Sequence, residues 1–181
     1  MGYWHTRGLR GSVLEDLINQ SNRYYLEHGL AVMQKIPTAI TPVKLDQQKG
    51  VIKLAYFDAK STVDYVGNVQ GIPVCFDAKE THLKNLPLYN IHEHQVAFME
   101  AFQKQDGLAF LIVYFKQTDQ YFLLPFEVLM HYWNGAKKGG RKSIPYAAFE
   151  SQYLIRAHGG IQLHYLETLN RYLTNLNKGG Q

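Results

Sequence analysis

A mixed α/β fold, a central sheet flanked by helices, is what the sequence predicts, and three observations carry that reading. LAFLIVYF at 108–115 is an almost unbroken apolar run, the pattern of a strand covered on both faces. STVDYVG and IPVCFDAKE, starting at Ser61 and Ile72, read as two strands joined around Gly67–Gly71, where glycines permit the positive φ of a tight reversal. SVLEDLINQSNRYYLEHG, HEHQVAFMEAFQKQDG and YLETLNRYLTNLNKGG carry apolar residues at helical spacing.

Taken in order, the first helix has Val13, Leu14, Leu17, Ile18, Tyr25 and Leu26 on its apolar positions and stops at Gly29. Ser12 is its expected N-cap, with Glu15 three residues on to complete a capping box. LAVMQKIP is a short strand ended by Pro37, and residues 38–58 form a β-prone excursion that turns around Gln47–Gly50. In the following hairpin Val74, Phe76 and Ala78 share one face of the second strand, while Cys75, Asp77 and Lys79 share the other, because side chains alternate with period two. The first face is read as core and the second as the one that holds the charges. The helix at 92–107 carries Val96, Met99 and Phe102 and stops at Gly107; LAFLIVYF is then the sheet centre. YFLLPFEVLMHYW supplies one more strand and a short helix, and Leu166, Leu169, Leu173 and Leu176 line a last amphipathic helix. No repeat or linker divides the chain, so 1–181 is expected to form one domain.

With 46% hydrophobic and 19% charged residues, the composition excludes a disordered chain as the default. No run reaches the eighteen or more apolar residues of a membrane helix, and MGYWHTRGLRG lacks the apolar region of a secretory signal. The expectation is a cytoplasmic protein. A single cysteine, Cys75, excludes an internal disulfide and a cysteine-based zinc site. The net charge of +4 is modest, but it is unevenly spread: Arg7 and Arg10 lie near the start, and Lys137, Lys138, Arg141 and Lys142 fall within GAKKGGRKS. Both segments suit phosphate contact, and a solvated basic loop is the equally simple reading.

Asp64, Asp77 and Lys79 raise the sharper question. Two carboxylates suit Mg²⁺, a hard cation that keeps several waters and takes one or two protein carboxylates. A lysine two residues beyond Asp77 stands on the same face, where an ammonium stabilises charge growing on a phosphorus centre. On spacing alone the preferred reading is plainer: Asp64 capping a turn, with Asp77 and Lys79 on an exposed charged edge. His92, Glu93 and His94 lack the spacing of a zinc helix and are assigned to helix capping, solvent or DNA backbone. Tyr65, adjoining Asp64, is the tyrosine singled out for base stacking, and Cys75 is read as a small buried residue.

An acid at one strand end followed by Asp or Glu, any residue, and Lys in the next strand resembles the PD-(D/E)xK nuclease superfamily. More closely, RGSVLEDLINQSNRYYL, KIPT, VIKLAYFDAKSTVDYVG, DAKET, HEHQ and GRKSI resemble the RecU Holliday junction resolvases, over residues 7 to about 145. The resemblance implies a restriction-endonuclease-like fold with a protruding β stalk at about 38–58. It implies Asp64 and Asp77 as metal-binding carboxylates, Thr62 as a further ligand, Lys79 as the transition-state lysine, and Gln95 as the family glutamine near the metal. Glu15 matches an acid directed toward the same site, ranked lower for its competing role in capping. The family motif commonly reads Glu-Ala-Lys, whereas this chain has Asp77-Ala78-Lys79.

The function implied is a Mg²⁺-dependent, homodimeric endonuclease that cuts four-way DNA junctions in recombination and repair, with Mn²⁺ as a substitute metal and recombination proteins as further partners. Two other readings stand beside it: a junction-binding architectural protein that does not cut, and a phage-type nuclease acting on flaps or duplex ends. A non-nucleic-acid structural protein is the third.

Overall fold

The computed structural model describes residues 13–57 and 62–179. Helix α1 (Val13–Glu27) leads into strand β1 (Val32–Lys35). Strands β2 (Ile40–Asp46) and β3 (Val51–Phe57) pair only with each other, as a hairpin separate from the main sheet. Next come β4 (Tyr65–Val69), β5 (Ile72–Thr81) and the short β6 (Asn85–Pro87). Helix α2 (Glu93–Gln103), β7 (Leu108–Phe115), β8 (Gln120–Pro125) and α3 (Phe126–Lys137) follow. The chain closes with β9 (Ser143–Pro145), β10 (Leu154–Ile155) and α4 (Tyr165–Gly179). Ser12, Arg7 and Arg10 lie outside the described residues.

The main sheet has the order β1-β4-β5-β7-β8-β10. Its neighbours are antiparallel except at the centre, where β5 and β7 run parallel and pair Asp77 with Leu111 and Lys79 with Val113. Parallel neighbours need a crossover connection. Helix α2 provides it, and this returns its first turn over the residues of β5. The sheet is therefore mixed and covered on both sides, as the apolar run of β7 predicts. One face packs Val74, Phe76, Phe110 and Ile112 against Leu14 and Ile18 of α1 and Leu169 of α4. The other packs Cys75, Leu111 and Val113 against Val96 and Met99 of α2 and Leu129 of α3. The charged face of β5 is thus no open edge: Cys75 and Asp77 are both fully buried.

Two expectations need correction. The hairpin turn is Gln70-Gly71, with φ of 49° and 92°, a two-residue reversal between paired Val69 and Ile72 that matches the positive-φ requirement of tight hairpins. Gly67 instead lies inside β4, paired with Val74 and Met33. Its hydrogen side chain has a different reason: a Cβ there would press on the Val32 carbonyl and lie 2.8 Å from Met33 Cα. Tyr65 is fully buried, its ring stacked on Phe76 at 4.8 Å and its hydroxyl donating to Asn19 Oδ1. It is a core residue and unavailable to a base. The β6–β9 ribbon and β10 were not anticipated, since two- and three-residue strands carry no legible periodicity.

The β2–β3 hairpin has the extent of the expected stalk, with a four-residue turn at 47–50 and a bulge between Pro42 and Leu45. Val43, Leu45, Ile52, Leu54 and Tyr56 are exposed along it. No helix among the described residues is long and apolar enough to cross a membrane.

Gly67→Ala should destabilise the protein by about 1–3 kcal/mol, the usual cost of forcing a methyl group into filled space. Urea unfolding of the two proteins measures it, and an unchanged midpoint would refute the close approach of β1.

Candidate active site

The hairpin register brings Asp64 opposite Asp77, one step beyond the Tyr65–Phe76 pair. Each acid is then held by the other's strand. The Asp64 amide donates to Asp77 Oδ1 at 3.1 Å, and the Ala78 amide donates to Asp64 Oδ2 at 2.9 Å. The Ile36 amide donates to the Asp64 carbonyl at 2.8 Å, which ties the segment to the end of β1. A side chain as short as aspartate keeps the carboxyl at position 77 on the Asp64 amide.

Lys79 projects from the same face of β5. Its ammonium contacts Asp77 Oδ2 and donates to Gln95 Oε1 at 3.3 Å. Gln95, buried in the first turn of α2, donates from Nε2 to Asp77 Oδ1 at 2.9 Å and accepts the His92 amide on Oε1 at 3.0 Å. That last bond occupies an amide at the helix N-terminus, where backbone donors lack intrahelical partners. One glutamine thereby caps α2, restrains Lys79 and orients Asp77.

Electrostatics at Asp77 are those of a carboxyl short of positive charge. Burial pushes its pKa up to about 7; Lys79 pulls it down, and the neighbouring Asp64 pushes it up again. Oδ1 accepts two hydrogen bonds, whereas buried Oδ2 meets the Lys79 ammonium and has no other donor among the described residues. Two acids against one lysine leave a net negative site. A divalent cation fits such a donor set, and Asp64 and Asp77 are the carboxylates that could hold it. Among the described residues no three His, Cys, Asp or Glu side chains gather to hold a metal. Thr62 is exposed, two residues ahead of Asp64.

Glu15 is engaged elsewhere. It lies in the first turn of α1 and pairs with Lys35 of β1 at 2.7 Å. It is still a neighbour of the site: after burial, the charges of Glu15 and Asp64 are the main causes raising the Tyr65 hydroxyl pKa. Cys75 is an inert core residue, its thiol pushed up to about 12 by burial and by Asp77.

The basic loop sits at the start of α2. Lys137 pairs with Glu93 at 3.4 Å and lies 5.8 Å above the Trp133 ring. Arg141 donates to Ser143, and the Lys142 carbonyl accepts the Leu88 amide at 3.1 Å. Lys138 and Lys142 are exposed. The β6–β9 ladder, pairing Leu86 with Ile144, fixes the loop beside the segment that leads to Gln95. Glu80 is the residue the sequence analysis missed. It accepts the Leu14 amide on Oε1 at 3.1 Å and pairs with Lys116 at 2.5 Å, anchoring the first turn of α1 to β5. Its adjacency to Lys79 is the sole hint the sequence offers.

The profile of the family described as Recombination protein U matches residues 9–171 of this chain. The chain belongs to the RecU family. Within it, the Holliday junction resolvase RecU of Pediococcus pentosaceus is 42% identical over 93% of this chain and 87% of its own length. The protein of the same description from Ligilactobacillus salivarius is 48% identical over 79% and 68%, and that of Limosilactobacillus reuteri 44% over 93% and 80%. Among solved structures, the Holliday junction resolvase Hjc of Archaeoglobus fulgidus is a distant likeness, with a TM-score of 0.46 and 11% identity over 77% of this chain and 91% of that one. The RecU-family profile spans α1 through the first turns of α4, so it includes every described element around Asp77.

The buried acid has a consequence for stability. A carboxyl whose folded pKa lies above its ordinary 3.8 contributes fully below that value and loses the contribution as pH rises through about 7. In metal-free protein Asp77→Asn should therefore raise the melting temperature at pH 8, by roughly 5–10 °C, with the gain shrinking toward pH 5. Thermal melts of both proteins across that range test it, and a gain independent of pH would contradict the burial of charge.

Proposed function

We propose that this chain is a Mg²⁺-dependent endonuclease that resolves four-way DNA junctions by hydrolysing phosphodiester bonds. The observation that carries the reading is the buried Asp77 carboxyl, locked to Asp64 across the hairpin and touched by Lys79, in a chain whose RecU-family relatives bear the name Holliday junction resolvase.

Asp64 and Asp77 would hold the metal, with Thr62 as a further ligand. When bound, Mg²⁺ supplies the positive charge that polarises the scissile phosphate and makes water a stronger nucleophile at neutral pH. Lys79 stabilises the additional negative charge that the phosphate oxygens gain in the transition state. Gln95 keeps the ammonium aimed there and orients the Asp77 carboxyl. Lys137, Lys138, Arg141 and Lys142, with Arg7 and Arg10 of the N-terminal segment, contact phosphates without regard to sequence, so binding weakens steeply with salt. Glu15 acts as an outer acid that orients Lys35.

The unit is a homodimer acting in the cytoplasm. A two-fold enzyme suits a two-fold junction. The apolar side chains exposed on the β2–β3 hairpin support association of two copies there, since such patches on a lone chain mark interaction surfaces.

Cleavage of a labelled four-way junction and a matched linear duplex, each with Mg²⁺ or EDTA, tests the activity. Metal-dependent, paired cuts confined to the junction are expected. Asp77→Asn should abolish them, Lys79→Ala should slow them about 10²–10³-fold, and Gln95→Ala about 10–100-fold, as for residues that orient a site from behind. Tight junction binding without cutting would leave an architectural protein. Replacing Leu45 and Leu54 together with lysine should convert the dimer to monomer in light scattering; a dimer that survives assembles through another surface.

A further inference from the structure

Tyr89 has no role in the chemistry above and none in the core. It belongs to a short 3₁₀ turn, Leu88–Asn90, between β6 and α2, and is 76% exposed. Its neighbours are the opposite: Leu88 is 6% and Ile91 2% exposed. The backbone under it is held at both ends, by the Leu88 amide on the Lys142 carbonyl and the Ile91 amide on the Leu88 carbonyl. A large aromatic ring is thus displayed on a rigid base, an arrangement that lets a ring form contacts at small entropic cost.

Its surroundings say what would use it. The Leu88–Lys142 bond puts Tyr89 beside the basic loop. The exposed ring of His92, stacked on that of half-buried His94 at 5.4 Å, follows within five residues. Gln95, which bonds Asp77, lies six residues along the chain from Tyr89. Three extended steps and three helical ones span at most about 15 Å, which is about four base steps along a strand at 3.4 Å each. Cations that track the backbone combined with an exposed aromatic ring form the usual platform for unpaired bases.

We infer that Tyr89 stacks on an unstacked base close to the scissile phosphate, so that the protein reads the open centre of a junction as well as its backbone. The inference rests on the junction-nuclease reading. A fully paired duplex keeps its bases stacked and gives this ring nothing to hold, so Tyr89 contributes selectivity between branched and linear DNA.

The test uses the full chain in EDTA with four-way junctions carrying 5-iododeoxyuridine at single positions around the crossover. Irradiation should attach Tyr89 to one or two of those positions, located by peptide mass spectrometry, and leave the same analogue in linear duplex unattached. Tyr89→Leu should weaken junction binding about 5–100-fold, the range for loss of one base–aromatic stack, with little effect on duplex; Tyr89→Phe should bind as wild type does. Equal junction affinity for Tyr89→Leu, equal losses on both DNAs, or attachment only to other residues would overturn the assignment while leaving the nuclease reading intact. Wild-type protein that binds no junction even at low salt would remove that reading itself.

Discussion

A buried carboxylate without enough positive charge around it is the constraint on which the rest of the structure depends. Asp77 stands on a central strand, with apolar Cys75 before it on the same face and Leu111 beside it on β7. The surrounding protein is organised to make that tolerable. The Asp64 amide, the Gln95 amide group and the Lys79 ammonium all point at one side chain. Three elements meet there because of it: the β4–β5 hairpin supplies Asp64, β5 itself supplies Lys79, and the β5–α2–β7 crossover returns Gln95. An uncompensated charge in such a place costs far more than any of these bonds contributes singly. The arrangement is one that a cation would complete.

The opposite face of the sheet explains how such a strained centre stays in register. Tyr65, Phe76 and Phe110 stack across β4, β5 and β7 with centroid separations of 4.8 and 5.0 Å, fixing the three strands directly behind the acids. Tyr165 and Tyr25 continue the aromatic packing toward α4 and α1. Polar groups of α1, at Asn19, Ser21 and Asn22, receive or make the bonds that those tyrosines and the Leu163 carbonyl require. One side of the sheet is rigid so that the other can be charged.

Much of this was legible in the sequence. The helices and β7 declare themselves by periodicity, and alternation along β5 puts Asp77 and Lys79 on one face without any structure. What alternation cannot say is whether that face is wet, and here burial reversed the reading of an exposed edge. Gln95 was legible only through family resemblance, because its contact with Asp77 depends on a crossover that closes eighteen residues of chain. Gly67 misled for a physical reason: a glycine marks either a turn or a close approach, and only the partner strand decides between them. Tyr65 misled differently, since adjacency to Asp64 in an extended segment puts its ring on the opposite face, in the core.

Gln95 caps a helix with the same oxygen that restrains Lys79. Fold maintenance and chemistry therefore share one atom, and selection cannot adjust them separately. A substitution that strengthened the helix start by a better cap would release Lys79, and one that tuned Lys79 would fray the helix. Stability of the helix start and placement of the Lys79 ammonium are thus not independent traits at position 95.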